Sequence, residues 1–551
     1  MSLFFNGKMI KRIEQYPIIT IILVVLIMLF FSFPFLEVSI MEARNFISAR
    51  EMITDGNWLL TTMNGEPRYQ KPPLPTWLAA LSGLIFGIKN TMAFRLPGIL
   101  MVMVIGISSF FISKELTKNT QHALVNALIV ITSFYVLAIV IEAPWDIFTH
   151  GFMLLGIYKL FQLFKYRKHC WTYGLLSGVF IGLSILCKGP ISIYALFLPF
   201  LFAYGIAYRF VRIKEIILPL LCAILIALII GGWWYLYVRL NDPITFLQIA
   251  TKETANWSSY NIRPFYYYWS FFVQSGIWTI PAFVSLIYPY MKSRVSDLKA
   301  YRLTLFWTII AVILLSIIPE KKSRYLMPVL IPLALNTGFY IEYLFRNFKE
   351  LKGKETSIVY FNFGLISIIG LSFGMVGYFY LRGFSNLNWM LFVIAALALF
   401  LISLFILFKL KSDNIQQVFY LTILFVITAF VFITPLSKEL KSNNYKNISF
   451  LGNQISQTEV KIYSFNYIAP EMIWHFGDKL PKIKLNDSTY KFPAEKSFGM
   501  LANDISSKDR LFIEKNYSIK ALDTFDLNIV DHSSKQYKNR LMSIYYRLTK
   551  K

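Results

Sequence analysis

Charged residues are scarce in this 551-residue chain: Asp, Glu, Lys and Arg make up 15% of it, where a water-soluble protein carries nearer a quarter. That shortfall, concentrated in long apolar runs, excludes a purely soluble enzyme, a disordered chain and a fibrous repeat. Acidic residues are scarcer than basic ones, 30 against 55, which leaves a formal net charge of +25. Cysteine is almost missing. Of the three cysteines, Cys170 lies in a basic stretch and Cys187 and Cys222 in apolar ones, so neither a disulfide framework nor a cysteine-based metal spacing is visible. No histidine pair, Gly-rich phosphate loop, internal repeat or low-complexity stretch is present. His150 stands alone in an apolar run, which suits a packed polar group better than a metal ligand. No cofactor is predicted, with a divalent ion left open.

What the chain does have is apolar: 56% hydrophobic and 17% aromatic residues, with a mean hydropathy of +0.53. Runs able to cross a bilayer fall at 17–35, 92–112, 123–141, 145–164, 171–186, 191–208 and 216–238. They continue at 265–290, 303–318, 325–345, 358–380, 389–408 and 418–433, about 13 spans in all. No small-residue cleavage site follows the first run, so a retained helix is expected in place of a signal peptide.

The basic residues do not point to nucleic acid, because they sit in short breaks between apolar runs and not on a soluble domain. Lys8, Lys11 and Arg12 precede the first span, and every second break after it is basic, as at Lys114 and Lys118 or at Lys165, Arg167 and Lys168. The positive-inside rule makes those breaks and the N-terminus cytoplasmic, and an odd number of spans puts the C-terminal tail outside. The expected architecture is an all-α polytopic membrane protein, residues 1–437 with an outer loop at 36–91, followed by a small extracytoplasmic α/β domain at 438–551. In that tail, strand-like runs at 460–465 and 510–513 alternate with a helix-like run at 470–476.

Charges on the outer side, which topology does not require, carry the chemical interest: near a membrane interface they are costly unless solvated or paired. In the run MEARNFISAREMI, helical spacing sets Glu42 and Asn45 on one face and offsets Arg44 and Glu51. The plain alternative is an interfacial amphipathic helix with its charges in water. In Tyr69-Gln70-Lys71-Pro72-Pro73-Leu74-Pro75 the prolines stiffen the chain and would fix the Lys71 ammonium beside the bilayer, where a lipid phosphate would sit. A snorkelling lysine ahead of a helix is the competing account.

Glu142 and Asp146 share another outer break, and Asp146 opens a helix, where capping is the common role of an aspartate. Lys188 occupies a stiff outer turn before Gly189-Pro190, and Arg263 precedes the aromatic run Phe265-Tyr266-Tyr267-Tyr268-Trp269, otherwise an interfacial belt. Glu320-Lys321-Lys322-Ser323-Arg324 places three cations in one short outer loop, against the positive-inside trend, and reads as an anion site. Cations gathered there would neutralise a leaving phosphate, and a carboxylate would take a proton from an acceptor.

The runs MEARNFISAREMI, NGEPRYQKPPLPTW, ILCKGP and PEKKSRYLMPVLIPLAL, in that order, resemble the bacterial lipid A aminoarabinose transferases and the related protein O-mannosyltransferases. The resemblance implies a GT-C glycosyltransferase of the bacterial inner membrane that takes a sugar from a polyprenyl phosphate, inverting its anomeric carbon. A lipid A-type or protein acceptor and membrane lipid are the implied partners, and nucleic acid is not among them. On this resemblance the family's first outer-loop aspartate falls on Met41, its second acid on Glu42, its arginine on Arg44 and its tyrosine on Asn45. The second outer-loop aspartate matches Asp146, with Glu142 the rival. Lys71 matches the Lys-Pro-Pro lysine thought to hold the donor phosphate, and Arg263 is a candidate for the same phosphate.

The expected site therefore has Asp146 and Glu42 as catalytic groups, Lys71, Arg263, Lys188, Lys321 and Arg324 on the donor phosphate, and Arg44, Tyr69 and Glu142 on substrate. Methionine at position 41 leans toward an acceptor that is already anionic, such as a phosphate, because a hydroxyl needs a base. Glu42 or Asp146 would still serve a hydroxyl, so the acceptor stays open. Two rivals remain: a lipid-linked sugar flippase, disfavoured by almost purely apolar mid-span runs such as 216–227, and a non-catalytic envelope scaffold.

Overall fold

The computed structural model describes residues 7–383, 387–455, 460–486 and 489–551. Backbone groups inside a bilayer must bond within their own segment, so apolar runs of this length become helices. Among the described residues, ten helices are long and apolar enough to cross a membrane, and eleven when the bent pair Thr120–Thr132 and Phe134–Glu142 is taken as one span. The pair bends by 45° at Thr132 and Ser133, whose hydroxyls donate to the carbonyls of Leu128 and Ile129, a back-bonding that bends helices.

Two of the thirteen expected spans are not continuous membrane-length helices. In 191–208 a π turn at Ile193–Phe197 precedes Pro199, and the apolar helix Ile193–Ala207 is short. In 265–290 the backbone runs through 3₁₀ turns and kinks at Gly276 (φ 70°, ψ −119°) before reaching Pro281. Hydropathy registers the apolar content of both segments and is blind to these interruptions.

The chain divides into two compact units, and they do not follow chain order. The first comprises Met1–Phe35, Tyr69–Pro75 and Arg95–Leu436. Its most telling packing is a close-set trio of helices. Gly174, Gly178 and Gly182, spaced by four, form one face of the helix Cys170–Lys188 and lie against Pro219, Ala223 and Ala227 of Ile217–Asn241. A Cβ on Gly178 would come within 2.5 Å of the Ala223 carbonyl oxygen, so only glycine permits this approach, the small-residue packing typical of membrane helices. The contacts advance in the same sense on both helices, which makes them parallel. On another face Ser177 donates to the Gly156 carbonyl of Pro144–Lys165 at 3.0 Å, and the short link through residues 166–169 makes that pair antiparallel. The start of Pro144–Lys165 and the ends of Cys170–Lys188 and Ile217–Asn241 therefore share one end of the unit.

The second unit comprises Leu36–Arg68, Thr76–Phe94 and Ser437–Lys551. Helix Ile40–Asp55 starts at a capping box made by Ser39 and Glu42 and stops at Gly56 in the left-handed region. Phe46, Phe94 and Trp474 form a triangle of rings 5.1–5.3 Å apart. Beside it, Arg50 donates to the carbonyls of Trp474, Ile473 and Asp478, closing the end of helix Pro470–Phe476. The tail carries a four-stranded mixed sheet in the order β3 (Ile462–Ser464), β4 (Ser497–Ala502), β6 (Met542–Lys550), β5 (Tyr517–Asp526), while β1 (Thr62–Met63) and β2 (Glu66–Pro67) form a separate hairpin. The strand expected at 510–513 is instead part of helix Ser507–Asn516, capped by the Ser506 side chain. Helix-forming Lys508, Glu514 and Lys515 around the apolar residues, with Asp509 in the capped first turn, outweigh that short run.

Candidate active site

Asp146 lies in the first turn of Pro144–Lys165 and is 2% exposed. It does not cap the helix: Ala143 is the N-cap and no side chain satisfies that end. Its Oδ1 is ion-paired with the Lys188 ammonium, brought to the same end by the antiparallel hairpin. Lys188 also lies 5.3 Å from the centre of the Tyr325 ring, a cation–π contact. The other carboxylate oxygen, Oδ2, is buried and has no hydrogen-bond partner. One turn further on, His150 is 3% exposed and its Nδ1 is also without a partner.

The 319–326 turn surrounds this pair with charge. Lys322 and the Tyr325 hydroxyl both donate to Glu320 Oε1, the hydroxyl at 3.2 Å, and Lys322 stands 4.8 Å over the Tyr260 ring. Arg324 is a charged neighbour of both Asp146 and Tyr135, and its Nε is buried without a partner. Glu142 is exposed and accepts from the Tyr135 hydroxyl at 2.6 Å. Lys321 behaves differently from its neighbours. It is 3% exposed, donates to the carbonyls of Arg263 at 3.1 Å and Ile318 at 2.6 Å, and burial lowers its pKa. It therefore ties the turn to the backbone of Arg263, whose own amide donates to the Pro319 carbonyl at 3.2 Å. The Arg263 side chain is exposed.

The proline-stiffened segment is anchored at the end of the unit that carries Asp242. The Tyr69 hydroxyl donates to Asp242 Oδ2 at 3.0 Å, and burial together with that carboxylate pushes the phenol up to about 12. It thus remains a donor at neutral pH. Hydrogen bonds from Thr245 and then Tyr69 hold the Asp242 carboxyl below its ordinary range. Two residues past Tyr69, the Lys71 ammonium lies 3.9 Å from Glu253 Oε2, a long contact between partly exposed groups that contributes little to stability.

The remaining expected residues lie in the second unit. Glu42 is fully buried, and its carboxylate accepts from the Ser39 amide at 3.0 Å as half of the capping box. The Arg44 carbonyl accepts from Arg68 at 2.8 Å, while the Arg44 guanidinium touches Met41 Sδ at 3.9 Å. Glu51 holds the β1–β2 hairpin through Thr62, Asn64 and Gly65.

Asp146, Lys188, Glu142, Arg324, Lys321 and the Arg263 backbone are thus brought together, and Lys71 and Tyr69 are joined to Asp242 and Glu253. Sequence reasoning missed the parts played by Tyr325, Tyr260, Asp242 and Glu253. Tyr325 was within reach, since it ends the cationic loop. Asp242 and Glu253 carry no local signal. Among the described residues, no group of three or more His, Cys, Asp or Glu side chains is arranged to hold a metal.

This constellation on a polytopic helical frame has the GT-C fold, of the aminoarabinose-transferase kind. The structure of ArnT from Cupriavidus metallidurans bound to undecaprenyl phosphate aligns with a TM-score of 0.70 at 14% identity, covering 98% of both chains. Its apo state gives 0.67 at 15% identity over 95% of this chain and 97% of that one. In sequence, residues 70–235 match the family described as dolichyl-phosphate-mannose-protein mannosyltransferase, a stretch that holds Lys71, Glu142, Asp146 and Lys188.

The chain is 24% identical over 338 residues, 60% of each protein, to the undecaprenyl phosphate-alpha-4-amino-4-deoxy-L-arabinose arabinosyl transferase of Photorhabdus laumondii. It is 26% identical over 305 residues to an uncharacterized protein of Aquifex aeolicus, covering 53% of this chain and 57% of that one. The chain thus spans 57–60% of the length of these curated relatives. The resemblance drawn from the four sequence motifs holds.

Proposed function

We propose that this protein is an inner-membrane glycosyltransferase that moves a sugar from a polyprenyl-phosphate donor to a lipid A-type or protein acceptor at the periplasmic face. The observation that carries the reading is the buried Asp146–Lys188 pair, with one carboxylate oxygen open and with Tyr325 and Arg324 beside it. A carboxylate beside cations suits a reaction in which an acceptor loses a proton while a phosphate leaves with negative charge. Lys71, made stiff by its prolines, holds the donor phosphate, assisted by Arg263 and Arg324. Lys188 orients Asp146, and Lys321 shapes the turn that presents Arg263. Asp146 is the base or orienting acid. Glu42 serves chiefly through helix Ile40–Asp55, with Arg44, Tyr69 and Glu142 lining the substrate.

The N-terminus lies in the cytoplasm, and residues 438–551 form a periplasmic α/β domain. The parity argument supports this side when the bent pair Thr120–Thr132 and Phe134–Glu142 is one span: losing both interrupted segments then changes thirteen crossings to eleven, and both numbers are odd. The decisive experiment replaces Lys71 with Ala and Asp146 with Asn and measures sugar transfer in membranes. Losses of about 10²-fold or more are expected in each variant, and full activity in both would overturn the assignment.

A further inference from the structure

We infer that Asp146 and His150 together hold a single hydroxyl group, which makes the acceptor an alcohol and not a phosphate. The inference rests on the transferase reading and names the acceptor class of that same site. Asp146 Oδ2 and His150 Nδ1 are two buried polar atoms without partners, on side chains 2% and 3% exposed. They stand four residues apart on Pro144–Lys165, the spacing that makes side chains neighbours on one helix face. Buried polar atoms left unpaired are costly and uncommon, so two of them one helical turn apart mark a place that something else fills.

The surrounding groups do not fill it. Lys188, from Cys170–Lys188, is bonded to Oδ1. The Tyr325 hydroxyl, from the turn Ser323–Leu326, donates to Glu320. Arg324, from the same turn, supplies charge near Asp146.

The chemistry of the two atoms selects the occupant. An ionised carboxylate oxygen only accepts, and a neutral imidazole donates from Nδ1 in one of its tautomers. A hydroxyl does both, so one O–H satisfies the pair: it donates to Oδ2 and accepts from Nδ1–H. An ionised phosphate oxygen only accepts, and its charge opposes the carboxylate.

In the transfer step, the hydroxyl oxygen uses a lone pair to bond the anomeric carbon. The bond from that carbon to the donor phosphate oxygen breaks, and its electron pair stays on the phosphate. The hydroxyl proton passes to Asp146 Oδ2, and His150 is a positioning residue that aims the oxygen. Met41 alone leaned toward a phosphate acceptor, but with a carboxylate available at Asp146 the missing acid no longer separates the two.

The test uses the full-length chain in cells that otherwise lack it, with mass spectrometry of lipid A and envelope proteins to find the product linkage. The expected product is a glycoside on a carbon-bound oxygen, and a glycosyl phosphate would overturn the inference. His150→Asn, whose amide reaches the same position, should retain transfer within about tenfold. His150→Leu should lower kcat by about 10²-fold with the donor KM unchanged. The reverse order, Leu active and Asn inactive, would identify a packing role and overturn the inference.

A second arm needs no transfer at all. In detergent without substrate, His150→Leu removes an unsatisfied buried group, so the unfolding temperature should hold or rise, and a clear fall would overturn the inference. Loss of transfer in the parent protein, or full transfer with Lys71→Ala, would instead strike the functional reading. The two failures are therefore separable.

Discussion

The helical hairpin of Pro144–Lys165 and Cys170–Lys188 ends in two quite different ion clusters. At one end Asp146 and Lys188 are 3% and 9% exposed, and the carboxylate keeps one oxygen open. At the other, Glu115 Oε2 accepts from Lys165 at 2.8 Å, Lys118 at 3.2 Å and Tyr166 at 2.6 Å, with Lys118 65% exposed. The second cluster is wet, redundant and saturated, which is how a topology-setting basic break is stabilised. The first is dry, holds one cation, and leaves its acid partly unsatisfied. A buried pair gains little over a well-packed apolar pair, so its presence at the end with the cationic turn is better explained by chemistry than by folding.

Breaking the pair sharpens this contrast most. Lys188→Met leaves Asp146 charged and buried, and about 3–5 kcal/mol of stability should be lost in an unfolding measurement. Adding Asp146→Leu to the same chain should restore most of that stability while transfer stays abolished. A double variant that stays as unstable as the single one would mean that the pair is structural.

The hairpin itself is the next target. Gly178→Ala forces a Cβ against the Ala223 backbone and should cost about 1–3 kcal/mol, with a loss of transfer from the displacement of Lys188. Unchanged stability and activity would show that the close approach is not what positions Lys188.

Asp509, in the second unit, offers a buried acid outside the apolar spans for comparison. Desolvation acts to raise its pKa, but hydrogen bonds from Tyr490, Ser506 and Lys484 outweigh that and hold it below the ordinary aspartate range. A depressed folded-state pKa gives stability that is present above the unfolded value and is lost as pH falls through the folded one. Acid unfolding of this unit should therefore be less steep in Asp509→Asn, and an identical acid limb in both proteins would contradict it. The smallest effect is expected at the wet end: Glu115→Gln should change stability by no more than about 1 kcal/mol and leave transfer intact. A loss of transfer there would erase the difference between the two ends.

Much of the candidate site was legible because it breaks a pattern. Lys71 stood out by its prolines, and Lys321, Lys322 and Arg324 by falling in a break that the charge alternation assigns to the less basic side. What each does was not legible. Lys321 and Lys322 are adjacent and chemically alike, yet one is spent on backbone carbonyls and the other on Glu320. Asp146 had the sequence context of a helix cap and pairs with Lys188 instead. Glu42, aligned with the second acid and standing next to the Met41 that replaces the first, completes a capping box that Ser39 and the three-residue spacing already spelled out.

Insertion into a bilayer is a sum of local transfer energies along the chain, and helix formation inside it is compulsory. The amino-acid order therefore determined by itself that this is a polytopic helical membrane protein whose cations gather in short breaks between apolar runs. Tertiary structure decided the interrupted segments at 191–208 and 265–290, the parallel packing along Gly174, Gly178 and Gly182, and the meeting of Asp146 with Lys188. Those outcomes depend on groups far apart in sequence coming within a few ångströms, and on which buried polar atoms find partners when they do.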